Sequence, residues 1–320
     1  MRHISLPKIP YDATAVRPAW FDLPPVVRDA IGVRLGSPIT SAVSAGGGFT
    51  RAFAAVLTTS AGDRVFVKAA QRSDPTAGWY AREAAVTAAL PPEVPAARPR
   101  WTLAEAGYFV LCLDAIDGAM PALPWTQEAL DAVLRAWSMS AAALAEPTEQ
   151  LIALGMPPLA DLLRDDLSWW SRIAAGQMPM PAVSDRVAGH LTELAGLERA
   201  LPALTAGSGM LHGDLRVDNV LLDREGTAWL CDWTWPCLGP AWFDVVTLLV
   251  TAYASGLDAD ALLIPWRAPA DGVDGALAAL SGYWLVQAAN GPTGASPHSG
   301  QHHLFSGEHA LAWLAERRGW

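Results

Sequence analysis

The sequence predicts an α+β fold, with a small β-rich first part holding one helix and a larger, mainly helical second part. Three observations carry this. Two β-branched and aromatic runs, residues 53–59 and 64–68, flank the turn Ser60-Ala61-Gly62-Asp63 as the arms of a hairpin. A single Ala- and Glu-rich stretch, residues 75–90, follows as a helix stopped by Pro91-Pro92. Beyond residue 117 helical patterns dominate, as in the helix that Ser184 would cap, where Val187, Leu191, Leu194, Leu197 and Leu201 keep a 3.6-residue spacing.

The other elements follow in chain order. The cluster Gly46-Gly47-Gly48 makes a turn before the hairpin, and residues 101–103 and 108–113 supply two more strands. A short hairpin sits inside the helical part, residues 220–222 and 227–231 around the turn Asp223-Arg224-Glu225-Gly226. The apolar stretches at 245–254 and 275–289 are shorter than the ~20 residues a bilayer needs and contain polar residues, so they read as buried helices. The tail, residues 307–320, reads as an amphipathic helix.

At 320 residues and 52% hydrophobic, the chain can bury a sizeable core or two domains. With 17% charged residues and a net charge of -10, it lacks the basic surface of a nucleic-acid binder. The first 116 residues hold 12 basic and 9 acidic groups and the rest 10 and 23, so an anionic ligand suits the first part and a cationic one the second. The N-terminus has no apolar secretion signal, which sets the cytoplasm as the expected compartment, with no membrane partner. Cys112, Cys231 and Cys237 are too few and too scattered for a disulfide framework and read as reduced thiols. Oligomeric state is not legible.

The sharpest motif is HGDLRVDN at residues 212–219. Asp214 and Asn219 stand five positions apart on a loop leading into a strand, the spacing at which protein kinases aim a carboxylate at a hydroxyl and an amide at a metal ion. Thirteen residues on, Asp232 ends the short hairpin, where a carboxylate bridges Mg²⁺ to nucleotide phosphates. Lys68, one of two lysines against 20 arginines, ends a strand, and Glu83 follows fifteen residues later on the helix, as a phosphate-touching lysine and its partner do.

Together these residues resemble the aminoglycoside phosphotransferase family, which includes choline kinase-like and other small-molecule kinases. The resemblance spans roughly residues 40–250. It implies a two-lobed protein-kinase-like fold, with residues 1–112 as the nucleotide-binding lobe and 113–320 as the helical lobe holding the catalytic loop, metal site and acceptor pocket. It makes Asp214 the catalytic base or hydroxyl-orienting residue, Asn219 and Asp232 the Mg²⁺ ligands, and Lys68 with Glu83 the grip on the α- and β-phosphates of ATP. Arg216 falls where kinases often place a lysine that meets the transferred phosphate. Asp244, beyond Gly239-Pro240, would brace the catalytic loop, and residues 111–115, with Leu111 and Leu113, would form the hinge meeting the adenine edge. Gly47 and Gly48 would cover the phosphates, although GGGFT is not the GxGxxG of protein kinases.

Gly213 stands where protein kinases carry an arginine, and DFG and APE are both missing, which disfavours a protein kinase. The absence of GxxxxGK[ST] excludes a Walker-type NTPase. The expected reaction is transfer of the γ-phosphoryl group of ATP to a small-molecule hydroxyl, on a cationic aminoglycoside-like or amino-alcohol acceptor. A neutral sugar, macrolide or other metabolite is the alternative acceptor, and a nucleotide-binding pseudoenzyme scaffold the alternative class.

Several residues read as structural. His212 supports the loop, and His298, His302, His303 and His309 lie in a solvated stretch rather than a zinc site. Asp165-Asp166 and Trp169-Trp170 read as the charged and apolar faces of a helix, with capture of an amine as the alternative. Trp233, Trp235 and Trp242 stand open between core and acceptor pocket.

Overall fold

The computed structural model describes residues 4–291 and 296–320. Met1, Arg2 and His3 of the N-terminal stretch lie outside it.

Five antiparallel strands form one sheet in the order β1-β2-β3-β5-β4: β1 Ile39–Ser44, β2 Phe53–Thr59, β3 Arg64–Gln71, β4 Pro99–Glu105 and β5 Tyr108–Asp114. The two-residue period of a strand sorts their side chains onto two faces. Val65, Val67, Val110 and Cys112 pack with Val27 and Ile31 of helix α1, Pro25–Leu35. On the other face Phe66, Ala70, Leu111 and Leu113 pack with Ala77, Tyr80 and Ala84 of helix α2, Pro75–Ala89. Asp74 caps α2 by accepting the Thr76 N–H, and Pro75 sits at its first turn, where it gives up no helical hydrogen bond.

The sequence reading missed α1 and β1. Helix α1 buries only Val27 and Ile31 while Val26 and Val33 stay exposed, so its apolar pattern does not advertise one face.

The remainder is mainly helical. Its helices are α3 Gln127–Ala143, α4 Glu149–Ile152, α5 Leu159–Asp165, α6 Trp169–Ala174, α7 Asp185–Ala188, α8 Leu191–Leu204, α9 Trp242–Ala254, α10 Ala259–Leu263, α11 Ala270–Ala289 and α12 Ser299–Arg318. Ser184 does cap a helix, but the expected run is broken at Gly189 and His190 into α7 and α8. Helices α9 and α11 are buried over most of their length, in one core with Trp137, Trp170, Trp233 and Trp313. Among the described residues no helix is long and apolar enough to cross a membrane.

Small strand pairs frame the cleft. β6 Gly118–Ala119 pairs with β8 Val220–Asp223, which pairs with β9 Ala228–Leu230, and β7 Met210–Leu211 pairs with β10 Cys237–Leu238.

Two features depart from the sequence reading. Helix α12 starts at Ser299, not near residue 307, so the expected solvated histidine stretch is largely helical. His302 is 2% exposed there, its Nδ1 bonded to the Tyr11 hydroxyl at 2.9 Å. The N-terminal segment also does not belong wholly with the sheet, because Ile9 and Tyr11 are buried in the helical core and the Ser5 N–H donates to the Ala254 carbonyl at 2.8 Å.

Candidate active site

The loop between β7 and β8 is built from its own hydrogen bonds. The His212 Nδ1 accepts the Asp214 N–H at 3.3 Å, which leaves Nε2 to donate to the Cys231 carbonyl at 2.8 Å. Burial dominates its titration and pushes the imidazole down to about 4, so it stays neutral and supports the loop. Asp244, wholly buried, accepts the backbone N–H groups of His212 at 2.7 Å and Gly213 at 3.1 Å. Gly213 has φ +79°, and a Cβ there would lie 2.0 Å from the Trp235 carbonyl oxygen, so a side chain is excluded.

On this frame Asp214 sits between two donors. Its Oδ1 accepts Arg216 Nη1 at 2.6 Å and its Oδ2 accepts Asn219 Nδ2 at 3.1 Å, while that same amide nitrogen also reaches the Asp214 carbonyl at 2.8 Å. Burial raises the Asp214 carboxyl to about 7 against the lowering charge of Arg216. Arg216 also forks onto both Asp218 oxygens at 3.0 Å, a buried carboxylate that the sequence reading did not single out. Burial opposes ionisation of Asp218, yet the Arg216 charge outweighs it and holds the group down at about 2.

The sheet supplies the opposite wall. Lys68 on β3 points to the α2 face and donates to Glu83 at 2.6 and 2.8 Å and to Asp232 Oδ1 at 3.1 Å. Burial would depress the Lys68 ammonium, but the charges of Asp232 and Glu83 outweigh it and hold its pKa far above the ordinary value. Asp232 follows β9 with φ +65°, a conformation uncommon outside glycine in which Asp and Asn are enriched. Its side chain is 48% exposed, and although desolvation resists ionisation, Lys68 keeps its carboxyl below the usual range. The fold thus brings Lys68, Asp214, Arg216, Asn219 and Asp232 to one cleft, with Glu83 buried behind Lys68, and a cavity of about 170 Å³ there is also bounded by Gly48, Phe49 and Thr50.

Leu111 and Leu113 are elsewhere. Both lie inside β5, paired with β3 on one side and β4 on the other, with buried side chains. Their backbone groups are committed to the sheet, so the adenine-edge role implied for these two residues is not available to them; chain free of the ladder begins at Ala115, after Asp114 pairs with Val65. Trp233 and Trp242 are core, whereas Trp235 is 51% exposed and meets Trp79 edge-on at the cleft, ring centroids 5.6 Å apart. Trp170 is buried and the ring of Trp169 already carries the Arg172 guanidinium at 5.0 Å, which fills the place of a captured amine. Among the described residues no group of three His, Cys, Asp or Glu side chains is arranged to hold a metal ion.

Arg17 is the functional-site residue least visible in the sequence. It enters the cleft from the N-terminal segment and grips the glycine turn by four hydrogen bonds, to the carbonyls of Ala45, Gly47 and Ala52 and the Thr50 hydroxyl.

Comparison with known proteins agrees with this geometry. The sequence profile of the phosphotransferase enzyme family matches residues 42–280. No curated protein matches the chain by sequence. Solved structures share the fold at low identity. The GDP complex of an aminoglycoside 2'-phosphotransferase-IIIa variant superposes with a TM-score of 0.61 at 16% identity, over 92% of this chain and 96% of the other. A thermostable variant of aminoglycoside phosphotransferase APH(4)-Ia, in ternary complex with AMP-PNP and hygromycin B, gives 0.62 at 12%, over 92% and 99%. Choline kinase LicA from Streptococcus pneumoniae gives 0.58 at 15%, over 91% and 98%. The profile match covers most of the chain and contains every cleft residue described above except Arg17, so the chain belongs to the phosphotransferase enzyme family and is a small-molecule phosphotransferase of its two-lobed fold.

Proposed function

We propose that the protein transfers the γ-phosphoryl group of ATP to a hydroxyl of a small molecule. The observation that carries this reading is Lys68 held between Glu83 and Asp232 in the same cleft as the Asp214–Asn219 loop. Lys68, fixed in its charged form, grips the phosphates, and Glu83 orients it. Asp214 orients the acceptor hydroxyl and takes its proton, a task suited to a carboxyl raised to about 7. Arg216, already paired with Asp214 and Asp218, offsets charge on the transferred group. The turn holding Gly47 and Gly48 walls the phosphates, and the adenine edge meets backbone from Ala115 on.

Mg²⁺ fits the oxygen donors present. Asn219 spends its amide nitrogen on Asp214, which leaves Oδ1 free, and Asp232 offers an ionised, half-exposed carboxylate. When bound with the nucleotide, the ion would neutralise phosphate charge. Two protein oxygens leave its other positions to phosphate and water.

The acceptor we propose is a cationic amino-alcohol or aminoglycoside-like compound, supported by the acidic excess of residues 117–320. A neutral sugar or macrolide is favoured by one observation, that Arg216 pairs with both Asp214 and Asp218 and so offsets part of the negative charge at the cleft. The test is Mg²⁺-dependent ADP release against a panel of both acceptor types, with Asp214→Asn in parallel. Acceptor-stimulated release abolished by the substitution is expected, and ATP binding with no stimulated release by any acceptor would withdraw the transferase claim in favour of a scaffold. Salt separates the acceptor classes: the KM of a cationic acceptor rises with ionic strength and that of a neutral one does not.

A further inference from the structure

The three consecutive glycines do not follow a phosphate-loop pattern, and their surroundings give a different reason for them. A Cβ on Gly46 would lie 1.8 Å from the Asp12 carbonyl oxygen, one on Gly47 3.0 Å from that of Tyr11, and one on Gly48 2.7 Å from Arg17 Nη2. All three faces are taken by the chain's own residues 11–17. Gly48 also has φ +96°, where a side chain is strained whatever the space.

This N-terminal strap is bonded to the turn and to the helical part at once. On the turn, the Ala15 N–H donates to the Gly46 carbonyl at 2.8 Å and the Thr14 hydroxyl to the Gly48 carbonyl at 3.0 Å. Arg17 adds Ala45 at 3.2 Å, Gly47 and Ala52 at 2.9 Å, and the Thr50 hydroxyl at 3.1 Å. On the helical side, the Ser296 hydroxyl donates to the Thr14 carbonyl at 2.7 Å, and buried Tyr11 bonds His302. Carbonyl oxygens converging beside a polyphosphate site would repel the ligand. A guanidinium seated among them cancels that repulsion, and its planar fork fixes their directions where a single ammonium cannot.

We propose that Arg17 is a positioning residue for nucleotide binding, setting the shape and charge of the glycine turn through that turn's carbonyl groups. The inference rests on the nucleotide reading above. Its substrate class is the nucleoside triphosphate with Mg²⁺, and the strap makes the turn a braced wall rather than a free flap.

The test compares wild type with Arg17→Met and Arg17→Lys as full chains. In both variants the KM for ATP with Mg²⁺ rises about tenfold, while kcat and the acceptor KM move less than about threefold. Amide hydrogen exchange at residues 46–50 quickens, without nucleotide present. A merely structural role would change Tm and leave the KM split untouched. Lysine restoring both the ATP KM and the slow exchange would overturn the proposal, as would a folded Arg17→Met with wild-type values of both.

A coupled pair keeps the test decisive should Arg17→Met fold poorly. Gly48→Ala meets Arg17, so part of its penalty vanishes when Arg17 is shortened to alanine, and the loss of ATP affinity in the double variant is smaller than the product of the two single losses. A simple product would count against the contact. Wild-type protein that binds no ATP would defeat the nucleotide reading itself, and the exchange measurement, which needs no ligand, would still decide whether Arg17 holds the turn.

Discussion

The two loops that face each other across the cleft are held in opposite ways. The loop carrying Asp214 is braced from within its own part of the molecule, by a wholly buried Asp244, a neutral His212 and a glycine that admits no side chain. The glycine turn opposite is held from outside, by a strap that leaves the helical core, crosses the cleft and ends on Arg17. The first arrangement suits chemistry, since a base must stay within hydrogen-bond reach of its hydroxyl. The second suits binding, since a turn already braced by the strap offers a nucleotide a preset wall that need not be ordered on binding.

The sharpest way to break the chemical half is Asp214→Asn. The amide keeps the size and the contact to Asn219 but cannot take a proton, so kcat falls by about 10²–10⁴-fold while the fold and ATP binding survive. Single-turnover phosphate transfer beside circular dichroism checks it, and retained turnover would remove Asp214 from its role.

Asp244→Ala attacks the brace instead of the base. It leaves the buried N–H groups of His212 and Gly213 without an acceptor, at a cost of about 2–4 kcal/mol read from denaturant unfolding. Because the loop then loses its frame, kcat falls with stability, unlike in Asp214→Asn. Unchanged stability would mean that the brace lies elsewhere.

The cleft's chemistry was legible because it is local in sequence. Asp214 and Asn219 share one short loop, and Lys68 announces itself by rarity and by its distance to Glu83. The strap was not legible, because Arg17 meets Ala45, Gly47, Thr50 and Ala52 only after the chain has passed through α1 and β1, and one arginine among 20 carries no spacing signal. The histidines of α12 misled for a related reason. Ser, Gly and Gln around them read as loop, whereas Tyr11, nearly three hundred residues away, supplies the partner that buries His302. Leu111 and Leu113 mark a third limit: residues 108–113 read as a strand while the resemblance implied a hinge over 111–115, and only the pairing with β3 and β4 shows that both leucines are held inside the ladder.

A gentler probe of the chemical half is pH. Burial places the Asp214 carboxyl at about 7, and a base acts only when deprotonated, so kcat should climb with pH and flatten above neutrality. The deprotonated fraction of such a group grows about tenfold between pH 6 and 8. Cation binding nearby shifts the limb to lower pH, so the reference measurement is the carboxyl titration in metal-free protein by carbon-13 NMR. A midpoint near 4 would show that Arg216 outweighs burial there.

The smallest expected effect tests whether the two walls also meet at the rim. Trp79 stands on α2 and Trp235 on the loop after Asp232, and their rings touch edge to face across the cleft. An aromatic contact of this kind is worth about 0.5–1.5 kcal/mol beyond its buried area, less where both rings are partly exposed, so Trp235→Leu should lower global stability little. Its effect should appear instead on the nucleotide side, because that contact helps hold α2, and with it Glu83, toward Asp232. We expect the ATP KM to rise about two- to threefold with kcat nearly unchanged. A kcat loss as deep as that of Asp214→Asn would instead place Trp235 in contact with the acceptor, and would erase the division between a wall that reacts and a wall that binds.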